Sequence, residues 1–411
     1  MDIEKLKQKL AILADAAKYD ASCASSGTTR RSSRDGKGLG STEGMGICHA
    51  YAPDGRCISL LKILMTNFCI YDCAFCVNRV SSNVRRERFS PEEVAWLTVE
   101  FYRRNYIEGL FLSSGIIRSP DYTMEQIVRI ARLLRHDHAF RGYIHLKTIP
   151  DASPELIEAA GLLADRISVN IELPTDESVK SYAPEKDAAS IRRTMADVCV
   201  TRQDYDDTTR SGRKRGRFSP AGQSTQMIIG ADGANDRTIL GTSVRLYSSY
   251  DLKRVYYSAF SPIPDSSASL PLIKPPLQRE HRLYQADWLL RFYGFEFDEI
   301  APSNDTGMLD LSIDPKMAWA LAHREDFPVD INQADRQMLL RVPGFGTKLV
   351  GRILASRRHG LVRYRDLQRM GARLKHAKPF IVTPDWRPAR LLDRENLQVR
   401  LAPHPQQLTL L

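Results

Sequence analysis

The sequence predicts an α/β fold of six βα units joined to a smaller all-α module. Two observations predict the first part. From residue 57 to residue 262, six short runs rich in β-branched and aromatic residues alternate with stretches of helical periodicity. Several of those stretches open on helix start signals, Ser90-Pro91-Glu92-Glu93 being the clearest: a serine cap, a proline at the first helical position and a glutamate three residues on. The third observation predicts the module. After a Pro/Ser-rich segment at 263–280 a helical pattern returns, and the charge turns one-sidedly basic.

In chain order, residues 3–18 repeat apolar positions at three and four and read as an amphipathic helix. Residues 21–46 are Ser/Gly/Arg-rich and cannot build a core, so 1–56 reads as a helix followed by a long loop. Strands are expected at 58–66, 108–114, 142–149, 165–172, 224–231 and 253–260. Thr123-Met124-Glu125-Gln126 reads as a second capping box, and Ser153-Pro154-Glu155 as a third helix start. Six such units across 57–262 imply a parallel sheet with helical crossovers. Periodicity alone does not separate an open, doubly wound sheet from a barrel. Residues 263–325 read as a Pro-rich linker and helical connector, 326–380 as the helical domain and 381–411 as a tail.

The chain has 411 residues, enough for a large core and a second domain. No run of eighteen or so apolar residues occurs, which excludes a membrane-spanning helix. The N-terminus, Met1-Asp2-Ile3-Glu4-Lys5, is charged, and the expected setting is a reducing cytoplasm. The net charge is +10, and it is localised: residues 341–400 hold 15 Lys/Arg against 4 Asp/Glu, leaving 44 against 45 elsewhere. A charge run is usually a solvated helix face, but so one-sided a surplus favours a polyanionic partner.

Chemistry is concentrated just after the first strand. Cys69, Cys73 and Cys76 stand in the spacing C-x3-C-x2-C, with Phe75 immediately before the third. Three thiolates on one short loop can hold three irons of a [4Fe–4S] cluster and leave the fourth iron open to a reacting cofactor. A structural zinc site wants four ligands, usually as two separated pairs, and no second C-x2-C exists in the chain. A disulfide does not suit seven cysteines in a long chain without a secretory signal. Cys23, Cys48 and Cys57 are candidates for a second cluster, although scattered cysteines are more often buried and inert.

The cysteine run closely resembles that of the radical SAM superfamily. The resemblance implies a partial (β/α)6 barrel with its cluster loop after the first strand, a [4Fe–4S] cluster, and S-adenosylmethionine chelated at the open iron. It implies reductive cleavage of that cofactor to a 5′-deoxyadenosyl radical, with an electron donor such as flavodoxin or ferredoxin. Phe75 would then lie beside the cofactor. Ser113-Ser114-Gly115 stands where the superfamily carries a Gly-Gly-Glu-like turn for the methionine amino group, with the carboxylate lost. Asn170 and Glu172, on one face by two-residue alternation, would hold the ribose hydroxyls, and Met227 with Gly230 would meet the adenine. Lys147, Tyr182 and Lys186 are weaker candidates for substrate or cofactor contact.

The basic segment carries a second resemblance. Val329 to Asp335, then Leu339-Leu340-Arg341-Val342-Pro343-Gly344-Phe345-Gly346-Thr347-Lys348, then Gly351-Arg352, resembles a helix-hairpin-helix motif. Asn332 is the expected cap of the first helix. Gly344 and Gly346 allow the tight turn, and backbone N–H groups near Thr347, with Lys348 and Arg352, make an anion site. Such motifs also serve as protein docking modules, but the local charge favours nucleic acid. The shorter run Arg213-Lys214-Arg215-Gly216-Arg217 reads as an auxiliary loop.

Taken across nearly the whole chain, the sequence is similar to the DNA modification/repair radical SAM family, which implies action on DNA through phosphate contacts. Two other readings stay open. One is an RNA- or small-molecule-modifying radical SAM enzyme whose hairpin serves RNA or protein docking. The other is a non-catalytic iron–sulfur protein that binds nucleic acid.

Overall fold

A computed structural model describes residues 2–17, 47–51, 57–210, 216–263, 269–389, 391–393 and 396–402. The chain divides into two compact units, Met1–Ala234 with Arg245–Pro275, and Asn235–Val244 with Pro276–Leu411.

The first unit begins with α1 (Ile3–Ala17), which buries Leu6, Leu13, Ala14 and Ala17. Its sheet runs in chain order: β1 (Ile47–Tyr51), β2 (Cys57–Leu64), β3 (Gly109–Ser113), β4 (Tyr143–Lys147), β5 (Arg166–Ser168), β6 (Gln223–Ile229) and β7 (Arg254–Ala259). Strands β2 to β7 pair in parallel, and β1 lies antiparallel on the edge against β2. The crossovers carry α2 (Pro91–Arg103), α3 (Pro120–Arg132), α4 (Pro154–Leu163), α5 (Asp176–Tyr182), α6 (Ala188–Arg210) and α7 (Asp236–Tyr250), of which α7 up to Val244 is counted with the second unit.

Strand order decides between the two architectures that periodicity leaves open. A doubly wound sheet reverses direction at a switch point, whereas here each strand pairs with the next. Right-handed crossovers added always on the same side put every helix on one face, so the sheet curls as a partial barrel. Four of the six parallel strands fall within the expected ranges, and β2 and β6 each begin one residue before theirs. The edge strand β1 was not foreseen, because it follows a long Ser/Gly-rich stretch that reads as loop.

Local signals were right where the cap geometry is local. Ser90 accepts from the Glu93 N–H and the Glu93 carboxylate accepts from the Ser90 N–H, closing the expected box. Thr123 corrects the second expectation: Ser119 caps α3, Pro120 opens it, and the Thr123 hydroxyl bonds Ile117 and Ser119 from inside the helix.

The second unit holds α8 (Leu277–Phe292), α9 (Phe297–Ile300), α10 (Pro315–Ala322), α11 (Arg336–Arg341), α12 (Thr347–Ser356), α13 (Tyr364–Arg369), α14 (Leu374–Ala377) and α15 (Leu397–Leu401). It is not wholly α: β8 (Val329–Asp330) pairs in parallel with β9 (Ile381–Val382), so the segment just beyond residue 380 belongs to it. Residues 277–322, expected as a connector, are part of the same unit, because α8 and α10 bury Leu283, Ala286, Leu289, Met317 and Trp319.

The helix before the hairpin is capped by Asp335, which accepts from Met338 N–H at 2.7 Å. Asn332 is not the cap. Its side chain bridges to Val362, accepting from the backbone N–H at 2.8 Å and donating to the carbonyl at 3.1 Å. Gly344 has φ +81° and a Cβ there would stand 2.8 Å from the Arg373 carbonyl oxygen, so the turn needs glycine.

Among the described residues no helix is long and apolar enough to cross a membrane. The loop at 21–46, Cys23, and residues 213–215 of the auxiliary basic run lie outside the described residues, as do the side chains of Cys48 and Cys57.

Candidate active site

Strand β2 delivers the chain to the C-terminal end of the sheet, and the cysteine loop begins five residues beyond Leu64. That loop has few apolar anchors and is held by its own polar groups. Thr66 donates to the Glu87 carbonyl at 2.9 Å, and Asn67 donates to the Arg85 carbonyl at 2.8 Å while accepting from Glu87 N–H at 2.8 Å. The Arg86 guanidinium gathers the carbonyls of Asn67, Asn78, Arg79 and Ser82. Asp72 accepts from the Ser81 hydroxyl and N–H, which hold its carboxyl below the usual range. Arg86 is a residue that sequence reasoning missed; within Arg85-Arg86-Glu87-Arg88 nothing marks which arginine turns inward.

The turn after β3 packs directly on this loop. Gly115 donates to the Thr66 carbonyl at 2.8 Å, and a Cβ on it would come within 2.2 Å of the Phe68 carbonyl oxygen. Close backbone approach therefore accounts for this glycine. Ile70 N–H reaches the Ile116 carbonyl, and Ala74 N–H reaches that of Tyr182.

Cys69, Cys73 and Cys76 are free thiols lining one cavity. Phe75, Ser113, Ser114, Gly115, Asn170 and Glu172 line it too, as do Lys147 and Lys186. Asn170 and Glu172 lie past the end of β5, where the backbone still bridges to β6 through Glu172 and Met227, and Glu172 takes φ +65°. Asn170 donates to Glu172 at 3.3 Å and to Gln226 at 3.0 Å, and Lys186 pairs with Glu172 at 2.6 Å. The other two sequence candidates are elsewhere. Met227 is fully buried in the core, and Gly230 forms the left-handed turn after β6; Gln226 and Ile228 face the cavity in their place. A one-residue shift in β register separates these outcomes. Tyr182 packs against the neighbouring apolar cluster of Leu173, Val179 and Phe260.

Burial pushes the Cys73 thiol up to about 12 and the Cys76 thiol up to about 11. Burial alone would lower Lys186, but Glu172 and Cys73 outweigh it and hold the ammonium charged. The cavity thus sets two lysines, Lys186 paired with Glu172 and Lys147 beside Gln226, against one carboxylate and three potential thiolates.

Among the described residues no three His, Cys, Asp or Glu side chains converge on a single metal ion. That favours neither zinc nor any mononuclear centre. Thiolates that bind separate irons of a cubane stand further apart, around its faces, and three of them ringing a cavity with no fourth cysteine in its lining suit a cluster with one open iron. The donor set fits the cluster.

Residues 63–243 match the family model described as the Radical SAM superfamily. This stretch, less than half of the chain, is similar to a radical SAM domain. Such domains belong to enzymes that use a [4Fe–4S] cluster and S-adenosylmethionine, and the match runs from the end of β2 through the cysteine loop and β3 to β6. No curated protein sequence matches the chain. Among solved structures, the chain is similar to HydG, a maturase of the [FeFe]-hydrogenase, at 13% identity and TM-score 0.40, covering 55% of this chain and 48% of that one. It is similar to methylornithine synthase (PylB) at 12% identity and TM-score 0.41, covering 56% and 61%. A third is the cobalamin-dependent S-adenosylmethionine radical enzyme OxsB, at 12% identity and TM-score 0.30, covering 67% and 37%. The chain therefore spans from about a third to three fifths of their lengths.

Proposed function

We propose that the protein is a radical SAM enzyme that acts on DNA, in modification or repair. The single observation that carries the DNA reading is the confinement of the positive charge: 15 Lys/Arg against 4 Asp/Glu over residues 341–400, around a glycine hairpin with Lys348 and Arg352 exposed beside it. Phosphate contacts of that kind supply affinity without reading sequence.

In the barrel, Cys69, Cys73 and Cys76 would hold the cluster. When bound, the cluster supplies the electron that cleaves S-adenosylmethionine reductively. The chain's own groups do the rest. Ser113, Ser114 and Gly115 offer small residues and backbone at the cavity wall. Asn170 and Glu172 offer a donor and an acceptor for hydroxyls. Phe75 lines the cavity beside the cysteines, and Lys186 fixes the Glu172 carboxylate. The expected partners are DNA and an external electron donor such as flavodoxin or ferredoxin.

The test pairs two measurements on anaerobically reconstituted full-length protein. Binding to duplex DNA, single strands and transfer RNA is compared at one stated salt concentration, and 5′-deoxyadenosine release is followed with and without each. DNA should bind most tightly and raise release above the substrate-free level. Tighter binding and stimulation by transfer RNA would overturn the DNA assignment and leave the radical chemistry standing.

A further inference from the structure

The second unit contains a cavity of about 730 Å³, within the size range of small-ligand sites. Its walls come from α8, the start of α10, the hairpin with the first turns of α12, and the segment leading into α14. Two kinds of side chain meet there. Lys348, Arg352 and Arg373 are cationic, Lys316 adds a buried amine, and Asp314 is the one carboxylate among the described residues of the lining. Trp288 and Tyr284 supply aromatic surface on α8.

Both kinds have features of a built site. Lys316 is buried, yet its closest partners are neutral: it donates to the Phe345 carbonyl at 2.6 Å and lies 4.8 Å from the Tyr293 ring centre. Trp288 is 49% exposed on a soluble helix, an unusual place for the largest side chain. Trp288 packs on Phe292 at 4.5 Å between ring centres, and the Tyr293 hydroxyl lies 3.6 Å from where a Cβ on Gly346 would stand. The end of α8 therefore lies against the hairpin, with the half-exposed indole in the same cavity as Lys348 and Arg352.

We infer that this cavity receives an unpaired nucleotide, its phosphate among Lys348, Arg352 and Arg373 and its base against Trp288 and Tyr284. Cations beside an open aromatic face match a group that is anionic at one end and planar at the other. A base in a duplex has both faces covered by its neighbours, so only an unpaired one can use the ring. An acidic peptide would use the cations and leave the tryptophan idle. The inference rests on the nucleic-acid reading above and narrows it to single-stranded or locally opened substrate.

The experiment uses the full chain at one salt concentration, with a thymidine oligonucleotide, a duplex of equal length, and an acidic peptide as probes. Binding is read by anisotropy and by quenching of tryptophan fluorescence. The single strand should bind more tightly than the duplex and quench emission. Trp288→Leu should weaken single-strand binding about tenfold with duplex binding little changed, and Trp288→Phe should restore most of it. Equal losses for strand and duplex, or no loss in a Trp288→Leu protein that melts like wild type, would overturn the stacking site while leaving the nucleic-acid reading intact. Binding of the peptide alone, with no oligonucleotide bound, would overturn both.

Discussion

The two cavities each bury a lysine, and they treat it oppositely. Lys186 in the barrel faces a carboxylate at 2.6 Å and two cysteines, which keep it charged despite burial. Lys316 in the second unit has a carbonyl and an aromatic ring, and burial pushes it down to about 7 against the weak pull of Asp314. A buried charge that is internally matched stays charged and orders a site; one matched only in part is driven toward its neutral form. The barrel is therefore organised around an ion pair, whereas Lys316 answers its burial by giving up its proton.

The largest expected effect tests the barrel's side of this contrast. Replacing any one of Cys69, Cys73 or Cys76 by alanine should abolish the cluster, read as loss of iron and of its visible absorption after anaerobic reconstitution. Wild type should take up about four irons per chain. Because the Cys73 and Cys76 thiols sit at about 12 and 11, uptake must displace their protons and should strengthen as pH rises from 7 to 9. Stoichiometric zinc in protein purified without oxygen would contradict the assignment.

Next in size is the ion pair itself. Glu172→Gln leaves Lys186 buried without its carboxylate and should cost about 3–5 kcal/mol by denaturant unfolding. Adding Lys186→Met should recover most of that loss, while both variants bind S-adenosylmethionine more weakly than wild type. If Glu172→Gln unfolds like wild type, the barrel lysine is no better matched than the other.

Lys316 supplies the converse, with a smaller effect. Between about pH 7 and the ordinary lysine value of 10.5 the unfolded chain carries a proton on this group that the fold does not. Its contribution to stability therefore falls as pH drops through that window and levels off below 7. Lys316→Met lacks this dependence, so wild type should gain stability relative to the variant as pH rises from 7 to 10. A constant difference in urea midpoints would show the lysine charged in the fold.

How much of this was legible in the sequence differs between the two regions for the same physical reason. The cysteine spacing and the Ser90 box are contacts among near neighbours, and local sequence specifies them. Glu172 lining the cavity was legible only as an alternation; the positive φ that places it there depends on packing around Lys186, fourteen residues on. Met227 and Ile228 are both apolar, and only the register of β6 against its neighbours decides which one is core. Asn332 stood in a good capping position, but Asp335 lies closer to the helix and the Val362 backbone claims the asparagine. Tyr293, at the end of α8, meets Gly346 of a hairpin more than fifty residues later, beyond the reach of periodicity.

The smallest effect bears on the exposed cations of the second unit. Lys348 is exposed on the first turn of α12, so its replacement should leave the fold alone and change only what binds. In Lys348→Glu, one phosphate contact is lost and a repelling charge replaces it. The slope of log affinity for DNA against log salt should flatten by about one to two units, each lost contact removing roughly 0.9. Affinity should drop most at low salt, and the two proteins should converge as salt rises. A uniform drop with an unchanged slope would mean that Lys348 positions the hairpin instead of meeting phosphate, and the charge that distinguishes the two cavities would have to be sought at Arg352 and Arg373.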